Sequence, residues 1–290
     1  MITRMHADEI PLGEQLVRRL VREQFPHWAR LPVSLAATGT VNAMYRLGDS
    51  MVVRLPFVPG PTGIDFEAEW LPRLARGLDV AIPSVLGIGK PTSAYPLPWL
   101  VLNWLEGDTV VPGTLEDADG LAGDLAAFIT DLRRLDPIGA PAGYRCGSLH
   151  PLDGEVRKCL SQVGDLVDVP ELLPLWQRAV DARPWAGVPV WAHCDLLSGN
   201  VLALDGRLSG ILDFASAGVG DPACDLMAGW SMLPAASREI FRERLAIEDD
   251  EWNRGLGWAL SQAAIALPYY RNTFPAMATT SLHTLHELGG

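Results

Sequence analysis

The residue pattern of the chain changes near positions 106–107, and that change limits the fold more than any other feature. Before it, short apolar runs alternate with turn residues. Runs over 34–38, 43–47 and 51–55, separated by Gly39 and by Gly48-Asp49, read as an antiparallel meander. Two further strands are expected over 84–88 and 99–104. Helices in this part are expected over 14–25, closed by Pro26, and over 64–76, where Pro72 should kink or split the turn of helix it enters. After the change, apolar residues recur every three or four positions. A long helix is expected over 115–135, with Thr114 as its N-cap and Leu121, Leu125, Phe128, Ile129, Leu132 and Leu135 at three- and four-residue spacing. Short strands over 188–192, 201–204 and 208–212 follow, the last two joined by Asp205-Gly206-Arg207. Helices over 221–230, 235–246, 249–271 and 275–288 complete the chain. The expectation is an α+β protein of two lobes: a small antiparallel-sheet lobe over 1–106 and a larger, mainly helical lobe over 107–290.

Composition removes several classes of function. The 290 residues carry a net charge of −12, which repels phosphate backbones and anionic lipid surfaces, so neither nucleic acid nor a membrane is an expected partner. With 28 Gly and 23 Pro, a long coiled coil is excluded. No uncharged apolar run reaches the ~18 residues of a spanning helix. The first ten residues lack an apolar core after Arg4, so no secretory leader is expected and the cytoplasm is the expected location. Cys146, Cys159, Cys194 and Cys224 are scattered and form no C-x-x-C pair. Four reduced thiols are expected, with neither a zinc ribbon nor a disulfide framework.

The segment Trp191-Ala-His-Cys-Asp195-Leu-Leu-Ser-Gly-Asn200-Val-Leu runs from a strand through a polar loop into another strand, and Asp213 stands at the end of the hairpin that follows. A carboxylate at the end of an apolar strand is costly to bury without partners, and a cation removes that cost. Magnesium takes carboxylate and amide oxygens and keeps positions for water and substrate phosphates, which makes Asn200 and Asp213 a candidate pair of metal ligands. The spacing Asp195-x-x-x-x-Asn200 matches the protein-kinase catalytic loop, and Asp213-Phe214-Ala215 stands where a D-F-G magnesium ligand belongs.

On these residues the chain resembles the aminoglycoside phosphotransferase family of small-molecule kinases, which share the protein-kinase-like fold. That family writes its loop H-G-D-x-x-x-x-N; here Cys194 replaces the Gly, and Ala215 stands where a Gly is frequent. The resemblance continues through Gly220-Asp221-Pro222-Ala223-Cys224-Asp225-Leu226, similar to a G-D-P-x-x-D-L segment whose second Asp braces the catalytic loop. It implies that Asp195 is the catalytic base, that Asn200 and Asp213 hold Mg2+, and that ATP or GTP is the phosphoryl donor. In the first lobe it implies that Arg54, in Val52-Val-Arg-Leu-Pro56, binds the α/β phosphates with Glu67 as its partner. Gly39, Thr40 and Asn42 lie at a strand-turn-strand junction where backbone approaches phosphate. The stretch Asn103, Trp104 and Leu105 resembles the hinge whose main chain meets the base. Asp221 reads as a plain helix cap.

The expected acceptor is a hydroxyl of a small molecule, an aminoglycoside or another antibiotic among the possibilities. Glu239, Glu243 and the run Glu248-Asp-Asp-Glu251 suit a polycationic acceptor or a solvated helix face. Trp252, Trp258, Tyr269, Tyr270 and Phe274 suit the wall of a more apolar pocket. One alternative remains open, a non-catalytic nucleotide-binding protein of the same fold serving as sensor or scaffold; a hydrolase built on Ser198 or on His193 and Cys194 is disfavoured, because adjacent strand residues point apart. Gly87-Ile-Gly-Lys90 lacks P-loop spacing, and His283, His286 and Glu287 make no H-E-x-x-H pair. Neither the choice of donor nor the oligomeric state is written in the sequence.

Overall fold

The computed structural model describes residues 8–60 and 62–289. Positions up to Ala7, on which the expectation of no secretory leader largely rests, and Pro61 of the Pro/Gly-rich loop lie outside the described residues. The fold is α+β. The described residues divide into two compact units, one running to Arg76 and resuming over Ala81–Leu105, the other made of Gly77–Val80 and the chain from Glu106 on.

In the first unit, α1 (Glu14–Gln24) turns Val17, Leu20 and Val21 inward, the helical spacing read from the sequence, and stops at Pro26. Strands β1 (Val33–Thr38), β2 (Asn42–Leu47) and β3 (Met51–Pro56) form the antiparallel meander. Helix α2 (Ile64–Leu74) follows, then β4 (Val85–Gly89) and β5 (Trp99–Asn103), which enters between β3 and β4 to give the order β1-β2-β3-β5-β4. Pro72 neither splits nor ends α2 at once. It sits in the last turn, where the lost backbone bond precedes the helix end by two residues.

All six residues of β3 are buried. Side chains alternate along a strand, so Val53 and Leu55 join α1 in a cluster with Tyr45, Leu47, Trp99 and Val101, while Val52 joins Ile64 of α2 with Leu100 and Leu102 on the other face. The same alternation places Arg54 on the Val52 face. A close approach fixes the β4–β5 edge: Gly89 pairs with the fully buried Trp99, and a Cβ on Gly89 would stand 1.9 Å from that ring. Gly89→Ala is expected to lower stability by about 1–3 kcal/mol, as overpacking does, with a loss of native Trp emission intensity or position in the same urea titration.

The second unit opens with β6 (Asp108–Thr109) and α3 (Ala118–Arg134). Its N-cap is Asp117, which accepts from the Gly120 N–H at 2.9 Å, and not Thr114, whose hydroxyl donates to the Val111 carbonyl. Two helices absent from the sequence reading follow, α4 (Asp153–Ser161) and α5 (Val169–Asp181), tied together where Trp176 Nε1 donates to Asp153 at 2.7 Å. Then come β7 (Val190–Ala192), the hairpin of β8 (Val201–Leu204) and β9 (Arg207–Ile211), and β10 (Gly218–Gly220), which pairs with β7. The helix expected over 221–230 is a 3-10 turn, Pro222–Met227, running into the short α6 (Ala228–Ser231). Helices α7 (Ala235–Leu245), α8 (Asp249–Tyr270) and α9 (Pro275–Gly289) finish the unit. Helix α8 is buried around most of its circumference because α4, α5, α9 and the 3-10 turn all pack against it. Among the described residues no helix is long and apolar enough to cross a membrane.

Candidate active site

Strand β7 delivers the polar loop. Its last residue, Ala192, is paired to Gly218 of β10, and the buried His193 follows. The His193 ring sits edge-on to Phe214 with its Nε2 2.9 Å from the Leu212 carbonyl oxygen, while Nδ1 accepts from the Asp195 N–H. The next residue, Cys194, has a φ of 65°. A left-handed backbone at a non-glycine residue costs about 1–3 kcal/mol and must be held by its surroundings. Asp225 does the holding: its two carboxylate oxygens accept the N–H groups of His193 and Cys194, each at 2.8 Å. This is the bracing geometry that the G-D-P-x-x-D-L segment implies. Burial pushes the Asp225 carboxyl up to about 6.

The bend turns Asp195 outward to partial exposure. Arg145 Nη1 donates to its Oδ1 at 2.8 Å, and Asn200 Nδ2 donates to its Oδ2 at 3.0 Å and to its main-chain carbonyl at 2.9 Å. Asn200 closes a 3-10 turn, and its own carbonyl accepts from the Leu212 N–H, so Asp213 is held one residue beyond a point tied to both Asn200 and His193. Asp195 and Asn200 are thus in contact, and Asp213 follows a residue whose main chain is tied to the same loop. Because the amide nitrogen of Asn200 is committed to Asp195, its oxygen is the donor it offers to a cation. An amide oxygen beside a carboxylate is a hard-donor pair of the kind magnesium takes, so the residues present fit that ion.

In the first unit, Arg54 and Glu67 form a buried two-point pair, 3% and 0% exposed, with Nη1 donating to Oε1 at 2.9 Å and Nη2 donating to Oε2. Strand alternation put Arg54 on the α2 face, and Glu67 lies one turn into α2. The Gly39–Asn42 turn is closed by the Gly39 N–H on the Asn42 carbonyl at 2.8 Å, with Thr40 at its tip. In the hinge-like stretch two main-chain donors are already taken. The Asn103 N–H donates to Ser84, the Asn103 side chain accepts from Ser84, and the Trp104 N–H donates to Ser50. Both N–H groups serve the unit itself, because β5 continues its pairing past its formal end, so neither is a donor for a base; Leu105 ends the unit.

Two features escaped the sequence reading. Arg145, which also donates to Gln262 at 2.6 Å, lies in an irregular Gly/Pro-rich stretch that carries no motif. Asp221 caps the Ala223 N–H as expected but also takes the buried Arg254 at 2.7 Å, so it is more than a cap. The acidic run is not a free anionic surface: Glu248 and Asp250 pair with Arg183, Asp249 with Arg242 and Glu251 with Arg133. Trp252 and Trp258 are core residues, Trp252 packing on Trp230 at 4.3 Å, while Tyr269, Tyr270 and Phe274 form a partly exposed aromatic group. The scattered cysteines do converge. All are free, and Cys146, Cys194 and Cys224 bring their sulfurs within 4.8 Å of one another, with hydrogen bonds from the other two holding the Cys146 thiol down to about 5.

Asp225→Ala would leave two buried N–H groups without acceptors, at about 1–3 kcal/mol each. The expected loss is the sum of the two, read by urea denaturation. Asp225→Asn, which keeps one carbonyl acceptor, should lose less; equal losses would show that the retained contact contributes nothing, and no loss in either variant that bracing does not stabilise the fold.

The family model described as the phosphotransferase enzyme family matches residues 33–258. The chain belongs to this family. The phosphotransferase also resembles solved structures at 20–21% identity, which bear on its fold. The GDP complex of wild-type aminoglycoside 2'-phosphotransferase-IIIa superposes with a TM-score of 0.74 at 21% identity, covering 96% of this chain and 99% of that one. The GDP and kanamycin complex of APH(2")-IIia gives 0.71 at 20% identity, covering 94% and 97%. A macrolide 2'-phosphotransferase from Brachybacterium faecium gives 0.61 at 21% identity, covering 95% and 98%. No curated protein sequence matches the chain. The kinase-like fold that the resemblance implies is therefore the observed one, and the chemistry of the family is phosphotransfer.

Proposed function

We propose that this phosphotransferase moves the γ-phosphoryl group of ATP or GTP to a hydroxyl of a small organic molecule, with Mg2+ held by Asn200 and Asp213. The observation that carries the reading is the Asp195–Asn200 hydrogen bond, with Asp213 fixed one residue beyond Leu212. Asp195 orients the acceptor hydroxyl and takes its proton. Asn200 and Arg145 set the direction of that carboxylate. Arg54, aligned by Glu67, binds donor phosphates through its planar guanidinium. Magnesium, when bound, supplies charge neutralisation on the phosphate oxygens. The work of the chain is positioning and electrostatics, as in other phosphoryl transfers. Residues 1–106 carry the donor-binding role and 107–290 the metal, base and acceptor roles.

Similar folds have been solved with GDP, with ATP and streptomycin, with ADP and with gentamicin, which supports a nucleotide donor and a small-molecule acceptor here. Aminoglycosides, macrolides and amino alcohols are the first acceptors to assay. We place the reaction in the cytoplasm, where free thiols and nucleoside triphosphates coexist. The test is nucleotide consumption with magnesium against that acceptor panel, with mass spectrometry of the acceptor. Nucleotide binding without turnover on any acceptor would favour a sensor instead. Asp213→Ala is expected to weaken magnesium-dependent nucleotide binding as well as turnover; calorimetry giving the wild-type affinity would remove Asp213 from the metal.

A further inference from the structure

Three thiols from three separate elements meet behind the polar loop. Cys146 comes from the stretch between α3 and α4, Cys194 from the end of β7, and Cys224 from the 3-10 turn before α6. The Cys146 and Cys194 sulfurs are 3.3 Å apart, Cys194 and Cys224 are 3.8 Å apart, and all three lie within 4.8 Å. Cys194 and Cys224 are buried, whereas Cys146 is only partly so and opens the group to solvent. A glycine keeps the space: a Cβ on Gly143 would stand 2.5 Å from the Cys146 sulfur and 2.6 Å from the Cys194 sulfur.

We propose that Cys146, Cys194 and Cys224 form a three-sulfur site for a soft monovalent metal ion of the copper(I) class. A metal ~2.3 Å from three coplanar sulfurs sets them about 4.0 Å apart, within the spread observed here, so only small side-chain shifts are needed. Thiolate sulfur selects soft ions. Zinc asks for a fourth ligand, and the near candidates are committed. His193 uses both ring nitrogens, on Leu212 and on Asp195, and Asp225 uses both oxygens on main-chain N–H groups. Coordination replaces S–H by S–metal bonds and releases the protons to solvent, with no change of oxidation state. The site also touches the polar loop, since Cys194 precedes Asp195, and Arg145, which precedes Cys146, donates to both the Cys194 carbonyl and Asp195.

The test is anaerobic titration of the reduced full chain with copper(I) against a chromophoric copper(I) chelator, followed by X-ray absorption at the copper edge. One equivalent per chain and a shell of three sulfurs are expected. Cys146→Ser, Cys194→Ser and Cys224→Ser should each weaken binding by more than the ~10–100-fold typical of losing a residue that only orients a ligand. Cys159→Ser, in α4, should bind as wild type. If Cys224→Ser does not fold, the partly exposed Cys146→Ser decides alone. Unchanged affinity in Cys146→Ser, a nitrogen- or oxygen-dominated shell, or tighter binding of zinc than of copper(I) each overturns the proposal. Binding is read without turnover, so failure of the proposed phosphotransfer leaves this result standing on its own.

Discussion

Replacing Asp195 by Asn is expected to lower turnover by about 10²–10⁴-fold, the usual contribution of a general base, while the dissociation constant for nucleotide stays within a few-fold. The substitution keeps the size of the side chain and an oxygen to accept from Arg145 or Asn200, so the loop should keep its shape. What it removes is the capacity to take a proton from the acceptor hydroxyl. Since the triphosphate does not use this carboxylate in the proposed mechanism, kcat and nucleotide affinity should separate. Single-turnover kinetics alongside nucleotide titration provide the check. Near-normal turnover in Asp195→Asn would remove Asp195 from the role of base, and a parallel collapse of nucleotide affinity would assign it to the donor instead.

Arg54→Ala is expected to be the most destabilising of the charge deletions. Its side chain is 3% exposed and Glu67 is fully buried, so deleting the guanidinium takes a two-point cationic partner from a carboxylate held away from water. Breaking a buried pair from one side costs about 3–5 kcal/mol. Where the variant remains folded, nucleotide affinity should fall tenfold or more, because a charge-assisted hydrogen bond is worth about 1.5–3 kcal/mol. Arg54→Lys keeps the charge but not the planar two-point geometry, and should retain part of both properties. The double replacement Arg54→Met with Glu67→Leu separates stability from binding: it fills the same space without charge, so it should fold well and bind nucleotide poorly. Urea denaturation and calorimetry of these three variants and the wild type decide the matter. A loss below about 0.5 kcal/mol in Arg54→Ala is the behaviour of an ordinary surface residue. Equal nucleotide constants throughout would end the assignment of this strand to phosphate.

The parts of this molecule that sequence made legible are those where local periodicity and tertiary structure agree. The meander and α1 follow their apolar spacing, α7, α8 and α9 lie close to where the sequence places them, and Asp195 and Asn200 meet because only a short loop separates them. Cap chemistry was harder to read: Thr114 and Asp117 both precede the apolar run of α3, and only the contact with Gly120 distinguishes them. Helix α5 did carry a signal, Asp168 ahead of Val169, Pro170 and Glu171, with Asp168 accepting from the Glu171 N–H. Its apolar face is interrupted by Pro174, which hides the period. Arg145 had no signal, because its partners Asp195 and Gln262 are distant in sequence and its own stretch is irregular. The thiol cluster was hidden for the same reason: spacing along the chain says nothing about three segments that meet only once the fold is made.

The two contacts on Asp195 bear on what happens when no acceptor is present. A base with an idle oxygen beside a bound triphosphate would activate any solvent molecule that arrived, and the donor would be hydrolysed to no purpose. Here one oxygen is occupied by a guanidinium and the other by an amide. Solvent that reaches Asp195 must share an oxygen already engaged in a hydrogen bond, with few other contacts to compensate. An acceptor that docks through the rest of its surface brings that compensation with it. Under the proposed function, Arg145 would guard the donor, making thrift with nucleotide a property of the resting loop.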